Sequence, residues 1–293
     1  TVLQTRPARV KSMAKGTRKK KKKATGSADT PVMRQFLACK AEYPDAILIF
    51  RMGDFYEMFF EDAVVAAAEL DLVLTSRDKG KEDAVPMCCF PHHALRGYVS
   101  RMLEGGHKVA ICEQVEDPRK VKGIVKRAVT EVVTPGVILD NEQLDAKVSN
   151  YLLALCADED TGTYGFAYLD ASTGEFLTAE LSRPAALADE LARVRPRQVL
   201  VPADQAAALR ERVPFLDEHP VEAANAEIFA TADEDRELLE RAADVDPTWL
   251  DEATESPRAC AAVIRYVHAV LPGRELPPFR VVPYQPSAYL VLD

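Results

Sequence analysis

The residues most able to do chemistry lie together in Arg51-Met52-Gly53-Asp54-Phe55-Tyr56-Glu57-Met58-Phe59. Gly53-Asp54 is a two-residue turn signal between apolar runs and predicts a hairpin. Side chains alternate across a strand, so Phe55 and Glu57 share one face and Tyr56 takes the other. A rigid apolar ring at a hairpin tip can enter the minor groove of a duplex and wedge between base steps, bending the axis by about 20 to 90°. A weak base pair resists least, so such a wedge selects by deformation energy and needs no sequence code. Glu57 would be repelled by phosphates, which demands a specific task for it. An ionised carboxylate accepts hydrogen bonds and a protonated one donates, and either form can engage the edge of an unpaired base. Spacing alone favours a plainer reading, with Phe55 a core aromatic and Glu57 a solvated strand residue, because alternating aromatics are ordinary in strands.

Other side chains invite weaker readings. Arg77, Lys79 and Lys81 in one expected loop, and Arg96 near a helix start, are candidates for phosphate contact, although Asp78, Glu82 and Asp83 partly cancel that loop's charge. Arg119, Lys120, Lys122, Lys126 and Arg127 form a second basic stretch, ranked below the hairpin. Cys88, Cys89, His92 and His93 offer four tetrahedral ligand types, but adjacent ligands chelate poorly and no separated Cys-x-x-Cys pairs exist. Packed thiols and a helix-start histidine are expected there. No G-x-x-x-x-G-K-[ST] phosphate loop occurs in the sequence, so no nucleotide cradle of that kind is available.

The positioning elements follow from pattern. Thr30-Pro31 reads as a helix cap and first turn, with Met33, Phe36 and Leu37 at helical spacing to about Glu42. Ile47 to Phe50 and Phe55 to Phe60 are strands about the turn, followed by an alanine-rich helix from Glu61 and a strand at Leu72 to Leu74. Ser76 to Asp83 reads as a loop, Leu95 to Leu103 as a helix closed by Gly105-Gly106, and Val109 to Cys112 as a buried strand. Thr134-Pro135-Gly136 and Asp140 to Lys147 look like the exit of this α/β domain. Tyr151 to Ala157, Thr163 to Leu169 and Glu175 to Leu181 then form a meander turned at Gly162 and Gly174. A helix from Pro184, a strand at Val199 to Val201, a helix at Ala203 to Arg212, a helix at Cys260 to Val270 and a strand-like Ala288 to Leu292 follow. Hairpins followed by α/β units resemble the ribonuclease H-like topology.

Composition sets the class. With 293 residues, 47 % hydrophobic and 28 % charged, the chain suits two folded domains. It has neither a long apolar span nor a signal-peptide core, which suggests a cytoplasmic setting. Six scattered cysteines in so large a chain are expected to be reduced. The net charge of −9 is unevenly spread. Residues 1 to 25 hold ten Lys or Arg and no acid, residues 30 to 145 hold fourteen basic against nineteen acidic residues, and residues 146 to 293 thirteen against twenty-six. Nucleic acid should therefore meet the first half. Residues 1 to 28 read as a disordered basic arm, either a nonspecific DNA-binding or solubilising tail or sequence upstream of a true start at Met13.

The hairpin segment resembles the Gly-x-Phe-Tyr-Glu signature of the MutS family, in which a Phe-x-Glu pair inserts at a mismatch. Thr30 to Gln35 resembles the family's opening, Val109 to Gln114 with Asp117-Pro118 its later block, and Arg127 to Val133 with Thr134-Pro135-Gly136 the block after that. The match departs at Pro86 to His93, where the family more often reads Met-Ala-Gly and then Pro-Tyr-His, so that Cys89 stands in place of glycine. The resemblance implies a mixed-sheet mismatch-recognition domain over residues 29 to 143, a ribonuclease H-like connector over 144 to 286, and the start of a further domain at 287 to 293. Its implied partners are mismatched double-stranded DNA, MutL through the connector, and a second MutS subunit in the full-length protein. Phe55 would insert and Glu57 bond a base, with Met52, Arg77, Lys79 and Arg96 as further DNA contacts. ATP and Mg belong to a later ATPase domain, so this chain is expected to carry no cofactor or metal and to be no enzyme alone, in a bacterial cytoplasm near the nucleoid. Two rivals remain open: a metal-dependent nuclease using Asp170 at a strand end, and a pure protein-interaction module.

Overall fold

The computed structural model describes residues 30–77, 84–116, 123–137, 150–271 and 279–286. They form two mixed sheets in an α/β fold. The chain opens with α1 (Pro31–Glu42), where the Thr30 hydroxyl accepts the Met33 N–H at 3.3 Å and Pro31 sits where its missing donor goes unused. There follow β1 (Ile47–Met52), β2 (Phe55–Phe59), α2 (Phe60–Leu70), β3 (Thr75–Arg77), β4 (Val85–Pro91), a short 3-10 turn at His92–Ala94, α3 (Leu95–Glu104), β5 (Val109–Gln114) and β6 (Arg127–Val133). The sheet order is β3-β4-β2-β1-β5-β6, with β1 and β5 parallel and every other pair antiparallel.

Strand alternation divides this sheet into two faces. Ile49, Tyr56, Met58, Cys88, Phe90 and Ile111 pack with Ala63 and Ala66 of α2 and with Val99 and Met102 of α3. On the other face Leu48, Phe50, Phe59 and Cys112 share a cluster with Met33, Phe36 and Cys39 of α1. Phe36 meets Phe50 and Phe59 edge-on, with ring centroids 5.6 and 5.0 Å apart. Such an aromatic pair is worth about 0.5–1.5 kcal/mol beyond its burial, so this triplet pins α1 to the sheet. Lys40 adds a short ion pair to Asp62 at 2.8 Å, while Asp62 also accepts the Leu48 N–H at 3.0 Å.

The structure corrects the expected elements at three places. Leu72 to Leu74 is not a strand: Val73 is 84 % exposed, and the strand lies one step later in the polar β3. Arg77 therefore ends a strand and does not lie in a loop. β4 falls in a stretch for which the sequence pattern assigned no element, and it pairs on both sides with β2 and β3.

The second sheet begins with the meander β7 (Tyr151–Asp158), β8 (Thr163–Asp170) and β9 (Glu175–Leu181), turning at Gly162 and Gly174, whose φ values are +70° and +78°. After it come α4 (Pro184–Val194), β10 (Gln198–Pro202), α5 (Ala206–Arg212), a 3-10 turn at Pro214–Glu218, β11 (Val221–Ala224), α6 (Ala232–Ala242), β12 (Ala243–Asp244), α7 (Pro247–Glu252), α8 (Glu255–Val270) and β13 (Phe279–Pro283). The order is β11-β10-β7-β8-β9-β13-β12, with β10 and β11 added in parallel beside the meander's first strand. This is the ribonuclease H-like arrangement. Two helix starts differ from expectation: α5 begins at Ala206, after a turn at Ala203 to Gln205, and α8 begins a full turn earlier than Cys260.

A polar joint ties the two sheets together. Glu222 on β11 accepts from Lys108 Nζ at 3.1 Å, from Gln198 Nε2 at 2.8 Å and from the Tyr266 hydroxyl at 2.6 Å. Gln198 also accepts the Gly136 N–H at 3.1 Å, fastening the Thr134-Pro135-Gly136 turn to β10. The basic arm of residues 1–28, Lys79 and Lys81, Arg119, Lys120 and Lys122, the exit at 140–147, and the expected strand at 288–292 with the start of a further domain lie outside the described residues. No described helix is long and apolar enough to cross a membrane.

Candidate nucleic-acid interface

The β1–β2 hairpin closes through Gly53-Asp54, with Met52 and Phe55 as the last cross-strand pair. Gly53 has φ +60° and Asp54 is not left-handed, the pattern of a two-residue turn with glycine at its first central position. The tip is clamped from outside. His92 donates its backbone N–H to the Asp54 carbonyl at 2.9 Å, its ring Nδ1 lies 3.1 Å from the same oxygen, and Arg51 Nε donates to the Gly53 carbonyl. Such a tip presents its side chains from a fixed platform.

Alternation at the tip is sharp: Phe55 is 45 % exposed and Tyr56 1 %. Tyr56 turns inward and donates to the Glu113 carboxylate, with the Arg51 guanidinium 5.2 Å over its ring. Burial, reinforced by the Glu113 hydrogen bond, pushes the Tyr56 phenol up to about 12. Phe55 turns outward on the α1 side of the sheet, and the neighbouring Met52 is half-buried.

Glu57 shares that face, half-buried between Phe50 on β1 and Cys89 on β4. Among the described residues its carboxylate has neither a hydrogen bond nor an ion pair within 4.0 Å. Burial raises its pKa, and the positive charges of Arg77 and Arg127 draw it back down. Both guanidiniums lie against aromatic rings of the same face: Arg77 is 5.8 Å from the Phe59 ring and Arg127 5.3 Å from the Phe50 ring. Arg127 is also tethered, donating Nε to the Arg51 carbonyl at 2.6 Å and Nη1 to the Val125 carbonyl at 2.9 Å. An exposed ring, a carboxylate with an open hydrogen-bonding capacity and two flanking cations therefore share one surface strip. Such a strip can stack on a base, bond a base edge and tolerate phosphates nearby.

Of the sequence candidates, Phe55, Glu57, Met52 and Arg77 are brought to this face, and Lys79 lies outside the described residues. Arg96 is exposed on α3, and the sheet separates that helix from the strip. Sequence reasoning ranked Arg127 only within a basic stretch. Its position at the head of the Arg127–Val133 block was the available signal, but only its reach across β5 to the Arg51 carbonyl and the ring of Phe50, Glu57's cross-strand partner, brings its charge near Glu57.

The Cys88-Cys89-His92-His93 cluster is split by strand alternation. Cys88 is buried, donates to the Ala63 carbonyl at 3.4 Å and has its thiol pushed up to about 12 by burial. Cys89 is exposed on the opposite face, so the expectation of packed thiols holds for Cys88 alone. His92 is occupied at the hairpin tip, and no described group of three or more His, Cys, Asp or Glu is placed to hold a metal. Asp170 is engaged locally: Oδ1 accepts from the Ser172 N–H at 2.9 Å and the Ser172 hydroxyl at 2.6 Å, and Oδ2 from the Asn150 N–H at 3.0 Å. Its two oxygens fasten the β8–β9 turn and the entry to β7, and no described carboxylates join it in a group placed to hold a metal.

Comparison with known families decides the relationship. The family model of MutS domain I matches residues 30–142, and that of MutS domain II matches residues 150–280. The chain belongs to the MutS family. The DNA mismatch repair protein MutS of Syntrophobacter fumaroxidans is 41 % identical over 266 residues, covering 90 % of this chain and 30 % of the relative. That of Sorangium cellulosum is 42 % identical over 282 residues, with the same coverage of 90 % and 30 %. The MutS protein of an Anaeromyxobacter species reaches 53 % over 184 residues, or 63 % of this chain and 20 % of the relative. The chain thus spans about 30 % of the length of the curated MutS relatives it matches. In MutS terms, the hairpin strip belongs to domain I and the meander with its parallel strands to domain II.

Proposed function

We propose that this chain is the mismatch-recognition and connector part of a DNA mismatch repair protein, and that Phe55 wedges into the minor groove at a mispaired or looped site. The observation that carries this reading is the outward, 45 % exposed Phe55 on a clamped hairpin tip, on the same face as the unpaired Glu57 carboxylate. The ring stacks where the duplex is already weak, and the kink follows from unstacking. Glu57 bonds the displaced base, while Arg77 and Arg127 offset its repulsion by the backbone. Lys79, Arg96 and Met52 are proposed further contacts.

The rest of the assembly is proposed on the family relationship. The connector half engages MutL, a second MutS subunit pairs in the longer protein, and ATP with Mg is bound and hydrolysed outside the residues present here. This region itself uses neither cofactor nor metal and catalyses nothing. Its setting is the bacterial cytoplasm at the nucleoid, which fits the bacterial sources of the relatives. Photo-cross-linking to a mismatched duplex tests the assignment of the face. Adducts should concentrate between residues 30 and 137, and dominant adducts in the acidic connector would overturn the reading.

A further inference from the structure

Glu57 is bracketed by two cations that differ in kind. Arg77 lies over Phe59, and its guanidinium donates no hydrogen bond to a described residue, so it can turn toward a phosphate. Arg127 cannot do so freely. Its Nε and Nη1 are spent on two backbone carbonyls, one at the end of β1 and one just before β6, and its plane lies over Phe50. Phe50 is the direct cross-strand partner of Glu57. A guanidinium so tethered is a fixed charge with little rotamer freedom left to lose, felt by a carboxylate that it does not touch.

We infer that Arg127 is a positioning residue for Glu57: its immobilised guanidinium, over the ring of Glu57's cross-strand partner Phe50, holds a fixed positive charge toward that carboxylate at the duplex-facing strip. The inference rests on the reading of Phe55 and Glu57 as the mismatch-contacting pair. It deepens that reading by saying what makes a half-buried acid usable beside DNA. The groups facing Glu57 are Arg77 from β3, the Cys89 thiol from β4 and Arg127 from β6, while β1 presents the uncharged Phe50. Cys112 on β5 faces Arg127, and α1 presents the Cys39 thiol, 3.8 Å from the Cys112 sulfur, and the Phe36 ring against Phe50 and Phe59. Burial raises the Glu57 carboxyl and the two cations oppose it, so loss of Arg127 leaves burial less opposed and moves the carboxyl further up. The protonation state of Glu57 decides whether it donates to or accepts from a base, and discrimination inherits that dependence.

The test is a carboxyl-carbon NMR titration of Glu57 in the full chain, read in the parent, Arg127→Met and Arg127→Lys. The midpoint should rise in Arg127→Met, as loss of a nearby opposite charge implies, and return most of the way in Arg127→Lys. The same variants are titrated against matched and mismatched duplexes across pH. The pH at which discrimination changes should move with the NMR midpoint, and Glu57→Gln should abolish that inflection. An unmoved Glu57 midpoint in a folded Arg127→Met protein would overturn the inference. If Glu57→Gln leaves both discrimination and its pH dependence intact, the reading of Glu57 itself falls instead. Equal weakening of both duplexes by Arg127→Met with no change in pH profile would reduce Arg127 to a structural or phosphate-binding role and also overturn the inference.

Discussion

The joint between the two sheets predicts an unequal response to cutting its central ion pair from either end. Glu222 collects three donors, from Lys108, Gln198 and Tyr266, and two of these residues are almost wholly enclosed, Gln198 at 3 % and Tyr266 at 2 % exposure. Glu222→Ala leaves the Tyr266 hydroxyl hydrogen without its acceptor and strips one bond from Gln198. At about 1–3 kcal/mol for each unsatisfied buried donor, tempered by the remaining Gln198–Tyr266 contact at 2.7 Å, the loss should be about 3 kcal/mol. Lys108→Ala is milder. The Lys108 and Glu222 side chains are 21 % and 27 % exposed, Glu222 keeps its two other donors, and the loss should be about 1 kcal/mol. A double-mutant cycle should return a coupling of about 0.5–1 kcal/mol. Urea unfolding of the parent, both single variants and the double variant measures all three quantities. If Lys108→Ala destabilises as much as Glu222→Ala, the stability resides in the ion pair and the buried hydrogen-bond argument is wrong.

Two further outcomes follow from packing and titration. A Cβ at Gly165 would sit 2.2 Å from the Glu255 backbone carbon, so Gly165→Ala must displace α8 from β8; thermal unfolding should show a loss of about 3 kcal/mol, and a neutral effect would refute the close approach. The Tyr56 phenol is raised from 10.0 to about 12, so the fold favours its neutral form. That contribution is complete below pH 10 and fades as pH rises from 10 toward about 12, and an ultraviolet titration in which every tyrosine ionises near pH 10 would contradict it.

The hairpin was legible because its information is local. Gly53-Asp54 fixes the turn, and strand period then assigns Phe55, Tyr56 and Glu57 to their faces without knowledge of any partner. The meander around Gly162 and Gly174 was legible for the same reason. What escaped depends on distant partners. Leu72 to Leu74 has strand-like composition but no strand beside it, whereas polar Thr75–Arg77 becomes a strand because β4 pairs with it. β4 was not assigned from the sequence, and it becomes a strand, despite Pro86 and Pro91, because β2 and β3 pair with it on either side. The start of α8 was missed because its cap lies in β9: Glu180 Oε1 accepts the N–H groups of Thr254, Glu255 and Ser256 at 2.9, 2.7 and 2.8 Å, and no sequence window spans that separation. Arg127 likewise comes near Glu57 only because β6 lies two strands from β1 and its side chain reaches across β5 to the Phe50 ring.

The central claim is that Phe55 reads duplex weakness, and the ratio of affinities for one mismatched and one matched duplex at fixed salt tests it most directly. The measurement belongs in a context where DNA binding is robust, this chain alone or this chain joined to the further domains of a MutS relative. Phe55→Ala removes a stacking surface worth about 1–3 kcal/mol, so mismatch affinity should fall about 5- to 150-fold while matched binding, dominated by phosphate contacts, holds. Glu57→Ala should also lower the ratio, but with matched affinity level or higher because repulsion is relieved. A Phe55→Ala protein that keeps the parent's full mismatch preference would contradict the account.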